Sequence, residues 1–195
     1  MTGRTHFVAG LLAGEIVVIC THTAEISGIV DIMSIAALAA LFPDIDHPYS
    51  KISKKNILMK NVSKATTSLF KHRGFTHTVF FAVIFAALTG FIYSLIPFHL
   101  YSPVNMSAAA LCGMFSHLIL DSLNPTGIMW LWPETTEHYS WAKIRTGKKG
   151  DTAVRIMLSL VTTAGIVFLA YKQIHPDEII GAWNEAISSL AAAKT

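Results

Sequence analysis

The stretch Phe42-Pro43-Asp44-Ile45-Asp46-His47-Pro48 decides how this chain is read. It stands where a long apolar run stops. Two carboxylates and an imidazole fall within four positions, and the prolines around them end the preceding helix and stiffen the loop. In an ordinary soluble protein this would be a solvated turn. The apolar runs that precede and follow it argue for something else.

With 195 residues the chain is long enough for one domain with a full core. Apolar residues make up 52% and charged residues 14%, and the mean hydropathy is positive, so charge cannot cover its surface. Together with long runs nearly free of charge, this composition implies an integral membrane protein, an all-α polytopic helix bundle. The net charge of +3 is no argument for nucleic acid, because in a membrane protein the placement of Lys and Arg sets orientation. Cys20 and Cys112 lie inside apolar runs, form no CxxC or zinc-knuckle pattern, and read as small core residues.

Working outward, five spans are expected at about residues 5–21, 26–42, 78–96, 106–123 and 153–171, within a single domain covering 1–195. Arg4 before the first run raises the question of a cleaved signal peptide; His6, Glu15 and the lack of a small-x-small cleavage site argue against one. Gly10 and Gly14 form a small-xxx-small pair that lets another helix approach, and Glu15 is expected to face the bundle or a wet cavity. The basic segment 49–71 carries six lysines with apolar residues at loose helical spacing, as in an amphipathic helix at the lipid headgroups. Thr76 is expected to cap the third span, placing His77 in its first turn. Asn124-Pro125-Thr126-Gly127 stops the fourth span by turn chemistry, and Trp130, Trp132 and Trp141 suit an interfacial belt. The tail 176–193 repeats Ile179, Ile180, Trp183, Ile187 and Leu190 on a helical period and reads as a surface helix.

Orientation decides where the polar clusters meet. The amino terminus, the loop between spans two and three, and the loop between spans four and five share one side and, with Arg155 at its edge, hold thirteen of the fifteen Lys and Arg residues. By the positive-inside rule that side is cytoplasmic, which puts the carboxyl terminus outside. His6 opens span one there, and Asp44, Asp46 and His47 close span two. His72 and His77 lead into span three. His117 and Asp121 sit four residues apart on one face at the end of span four. Scattered His and Asp would rarely sort to one depth in this way, so the set reads as a metal site.

Imidazole and carboxylate without thiolate suit a borderline divalent cation, zinc or manganese before others, as one ion or two. Such a cation can activate water, with Asp46 or Asp121 orienting the water or carrying its proton. Arg73, between His72 and His77, is placed to hold a phosphate or carboxylate; its alternative role is a topology charge or a lipid contact. No phosphate-binding glycine loop and no Gly-x-Ser-x-Gly elbow is present, and Ser116 and Ser122 read as helix-polar residues.

Four motifs carry a resemblance: Thr5-His6, Phe-Pro-Asp-Ile-Asp-His-Pro at 42–48, His-Arg-Gly-Phe-Thr-His-Thr at 72–78, and Ser-His-Leu-Ile-Leu-Asp-Ser-Leu-Asn-Pro-Thr-Gly at 116–127, followed by Trp132-Pro133. In these residues the chain resembles the YdjM-like family of bacterial inner-membrane proteins, described as membrane-bound metal-dependent hydrolases. The motifs span about two thirds of the chain in the family's order. The resemblance implies metal-dependent hydrolysis at a bacterial inner membrane. It carries over to His6, Asp44, Asp46, His47, His72, His77, His117 and Asp121. Some members are described as LexA-binding, which leaves room for a regulatory protein partner, but no motif here transfers that property.

The leading expectation is therefore a hydrolase at the cytoplasmic leaflet, acting on a lipid or phosphoester. Its partners would be membrane lipids and a substrate, without direct nucleic-acid contact. The alternatives are a non-catalytic metal-binding or regulatory protein and a small transporter suggested by Glu15 and Asp31. Five spans without visible repeats weigh against the transporter.

Overall fold

The computed structural model describes residues 1–46, 75–96 and 101–174, with the single positions 181 and 189. Among these residues every regular element is helical: α1 (Gly3–Cys20), α2 (Ile26–Leu41), α3 (Val79–Ser94), α4 (Pro103–Ser122) and α5 (Lys149–Ile174). Two 3₁₀ turns, Phe42–Asp46 and Phe75–His77, follow α2 and precede α3. An isolated antiparallel bridge joins Ile128 to Tyr139. The chain divides into Met1–Thr162 and Thr163–Thr195, and the packing below belongs to the first unit.

The expected helical membrane bundle is what forms. α1, α2 together with the 3₁₀ turn that continues it to Asp44, α4 and α5 are long and apolar enough to cross a membrane. α3 is equally apolar but has 16 residues, about 24 Å of helix against a hydrocarbon core of about 30 Å. Outward-facing Leu38, Phe80, Phe91 and Leu160 are exposed, as befits side chains that lipid would cover.

Small residues set how closely the helices approach. A Cβ on Gly10 would stand 2.7 Å from the Ala37 Cα and 2.8 Å from the Ala36 carbonyl oxygen, so α1 lies directly against the α2 backbone. Gly113 of α4 approaches the same Ala36 carbonyl, leaving no room for a side chain. Ala36, Ala37, Ala39 and Ala40 are fully buried along α2, which is thereby enclosed by α1 and α4. This is the small-residue packing available to helices that lack a hydrophobic drive toward one another. α3 closes on α4 through Ala82 and Ala86, which share a core with Ala39, Ala110, Met114, Leu118 and Ile128.

Two boundaries differ from the sequence reading. The cap of α3 is Thr78, not Thr76: its hydroxyl accepts from the Phe81 N–H at 3.1 Å and donates to the Phe75 carbonyl at 2.8 Å. His77 therefore precedes the helix, in the 3₁₀ turn. α4 starts at Pro103 rather than Met106, because Ser102 caps the Val104 N–H and proline is tolerated in the first helical turn, where its missing N–H has no helical partner.

The segment between α4 and α5 is pinned to the helix ends beside it. Trp141 and Ile144 donate backbone N–H bonds to the carbonyls of Ser122 (2.7 Å) and Leu123 (3.0 Å), and Val79 donates to Trp130 (2.9 Å). Asp151 ties the start of α5 to the start of α1: it accepts from the Thr5 hydroxyl at 2.6 Å, the Thr2 N–H at 3.2 Å and the Gly147 N–H at 2.7 Å. The basic segment 49–71, His47, His72, Arg73 and the tail motif at 176–193 lie outside the described residues. For Asp46 only the backbone position in the 3₁₀ turn is described.

Candidate metal centre

Each side chain of the centre is placed by the end of an element. His6 lies on the first turns of α1, Asp44 on the 3₁₀ turn that continues α2, His77 on the 3₁₀ turn before α3, and His117 with Asp121 on the last turns of α4. Three separate segments thus bring Asp44, His77, His117 and Asp121 together, with one donor atom from each lying within 4.8 Å of the others. Around a zinc ion with bonds of 2.0–2.2 Å, tetrahedral donors stand about 3.4 Å apart. The pairs His77 Nε2–Asp121 Oδ2 and His117 Nε2–Asp121 Oδ2, both 3.7 Å, are already near that spacing.

His6 joins this group from the side. Its ring stacks on that of His117 with centroids 3.9 Å apart and planes 19° from parallel. Its Nε2 lies 3.3 Å from Asp121 Oδ1 and 4.0 Å from Asp44 Oδ2. His77 meets His117 edge-on, at 5.0 Å. Three imidazoles and two carboxylates therefore share one locus.

Burial is steep. His6, His77, His117 and Asp121 are at most 2% exposed, whereas a third of the Asp44 side chain is accessible. Asp44 marks the open side.

The tautomer of His117 follows from its partner. Its Nδ1 lies 2.7 Å from the Ala40 carbonyl oxygen, which can only accept, so Nδ1 carries the proton and Nε2 presents a lone pair. Ala40 O belongs to the last turn of α2, where carbonyls lose their helical partners, so one bond serves both the helix end and the imidazole. His117 Nε2 and His6 Nδ1 are buried without a hydrogen-bond partner among the described residues, while His6 Nε2 faces Asp121 Oδ1. Buried nitrogens in that state are costly unless something else binds them. A divalent cation is a chemically apt occupant, and the donor set, nitrogen and carboxylate oxygen without sulfur, fits zinc or manganese.

Asp121 is held on its other oxygen. Oδ1 accepts from the Met1 amino group at 2.6 Å and from Asn124 Nδ2 at 3.0 Å. The sequence reading did not find either partner. By sequence Asn124 reads only as turn chemistry, although its i+3 spacing from Asp121 at a helix end is a usable signal. Glu15, the buried carboxylate of α1, faces the bundle as expected, 2% exposed, with Oε1 unpartnered among the described residues; it is nine residues from His6, about 13 Å along the helix, and stands apart from the centre.

Comparison with known proteins shows the family. The family model described as "YdjM inner membrane protein" matches residues 1–191. The protein YvsG of Bacillus subtilis, which carries the description "uncharacterized", is 35% identical over 165 residues, covering 83% of this chain and 92% of its own. The inner membrane protein YdjM of Escherichia coli is 38% identical over 98 residues, 50% of this chain and 47% of its own. No solved structure matches. The chain belongs to the YdjM family of inner membrane proteins.

Proposed function

We propose that this inner membrane protein is a membrane-bound metal-dependent hydrolase whose His/Asp centre opens on the cytoplasmic side and acts on a lipid or phosphoester. The observation that carries the proposal is the convergence of Asp44, His77, His117 and Asp121 from three separate segments, with His117 Nε2 buried and without a hydrogen-bond partner among the described residues. A divalent cation bound there would supply Lewis acidity and ease the ionisation of water. The chain's own groups do the rest. Ala40 O keeps the His117 lone pair turned toward the cluster. The ring of His6 covers one face of His117, and the buried histidines exclude bulk water. Asp44, on the accessible side, is placed to accept a proton from water, a role the sequence reading gave to Asp46 or Asp121. Arg73, close in sequence to His77, would hold the anionic group of a substrate. The thirteen basic residues that the sequence reading puts on that side support a cytoplasmic site.

One observation favours a second reading. Four of the five groups are almost fully buried, which also suits a cation that joins helix ends without catalysis. Purified protein assayed on panels of phosphoesters and lipids, with and without chelator, separates the two. Chelator-sensitive turnover supports the hydrolase; metal binding without turnover on any panel supports the non-catalytic centre.

A further inference from the structure

Asn124 does more than end α4. It is 2% exposed, and every polar atom it offers is bound in a fixed direction. Its backbone N–H donates to the Asp121 carbonyl at 3.1 Å. Its carbonyl accepts from the Gly127 N–H at 3.0 Å and from the Ser140 hydroxyl at 2.8 Å. Its side-chain oxygen accepts from the Thr146 hydroxyl at 3.2 Å, and the Asp121 carboxylate, which can only accept, decides which end of the amide faces it. The amide nitrogen is thus the end turned to Asp121 Oδ1, at 3.0 Å.

The consequence lies on the other carboxylate oxygen. With Oδ1 engaged by Asn124 and by the Met1 amine, rotation about the last torsion of Asp121 is blocked. Oδ2 is then held 3.7 Å from both His77 Nε2 and His117 Nε2. Ligating carboxylates depend on such supporting hydrogen bonds for their orientation and affinity. We propose that Asn124 is a positioning residue of the centre, which acts through Asp121 and links it by way of Thr146 to the segment between α4 and α5. This rests on the metal reading given above.

Cobalt(II) is a probe that reports both affinity and ligand geometry, by titration and by its visible absorption bands. Asn124→Ala is expected to weaken cobalt binding by about tenfold or more and to shift those bands. Asn124→Asp keeps the shape but turns an acceptor toward Oδ1. Positioning predicts weaker binding in this variant as well, whereas added negative charge alone predicts tighter binding. The unfolding midpoint of each variant in the same detergent shows whether it folds; should Asn124→Ala not fold, the near-isosteric Asn124→Asp carries the test. Wild-type affinity and bands in Asn124→Ala, or tighter binding in Asn124→Asp, overturn the role assigned to Asn124. Absence of cobalt binding by the wild type overturns the metal reading itself, and this proposal with it.

Discussion

His117 joins the two functions of this chain, since one imidazole finishes a helix with Nδ1 and faces the cluster with Nε2. Removing it should therefore lower stability even without metal. In His117→Ala the buried Ala40 carbonyl loses its donor, and an unsatisfied buried group costs about 1–3 kcal/mol. Thermal unfolding of metal-free wild type and variant in the same detergent should show the variant melting lower; equal midpoints would mean that the bond to Ala40 contributes nothing. Much at this scale was legible in the sequence. His117 and Asp121 are four apart on an apolar run, and Asp44 sits where another run ends, so their convergence follows from helix geometry and from counting charge. Ala40 as a partner was not legible, because a backbone carbonyl carries no sequence signature and is chosen only when α4 packs on α2.

Helix ends and helix contacts are decided by small residues. Thr76 and Thr78 both suit an N-cap by residue type, and local sequence cannot choose between them. The choice falls to the 3₁₀ turn at Phe75–His77, which gives Thr78 the Phe81 N–H and turns Thr76 toward His77 Nδ1, 3.0 Å away. Thr78→Ala should accordingly lose about 1 kcal/mol through the cap. Chemical or thermal denaturation would show it, and a Thr78→Ala midpoint equal to that of wild type would remove the cap from the account. The Gly10 contact is sharper. Any side chain there meets the Ala37 backbone, so Gly10→Leu should force α1 from α2 and cost about 1–3 kcal/mol or more. His6, one turn before Gly10, would be displaced from the centre as well. A Gly10→Leu protein as stable as wild type would contradict the observed approach. The start of α4 was missed for a related reason: Pro103 reads as a loop residue unless Ser102 is recognised as the cap before it.

At the scale of the molecule, composition alone carried the class, since a chain with 14% charged residues has too few to cover a soluble domain. The membrane bundle and the family follow that reading. What composition could not supply is the tie across the chain: Asp151 binding Thr5, and the Met1 amine meeting Asp121, join residues more than a hundred positions apart. The uneven placement of Lys and Arg predicts a cytoplasmic loop between α4 and α5. A reporter inserted near Gly147, where the backbone has positive φ and no atom lies within contact of an added Cβ, should give a cytoplasmic signal. A periplasmic signal would invert the orientation and detach the centre from the basic side. The most direct measurement is elemental metal analysis of purified wild type beside Asp44→Ala and His77→Ala, each shown to be folded. The convergence of Asp44, His77, His117 and Asp121 predicts bound zinc or manganese in the wild type and its loss in both variants. Equal metal content in all three proteins, or none in the wild type, would contradict it.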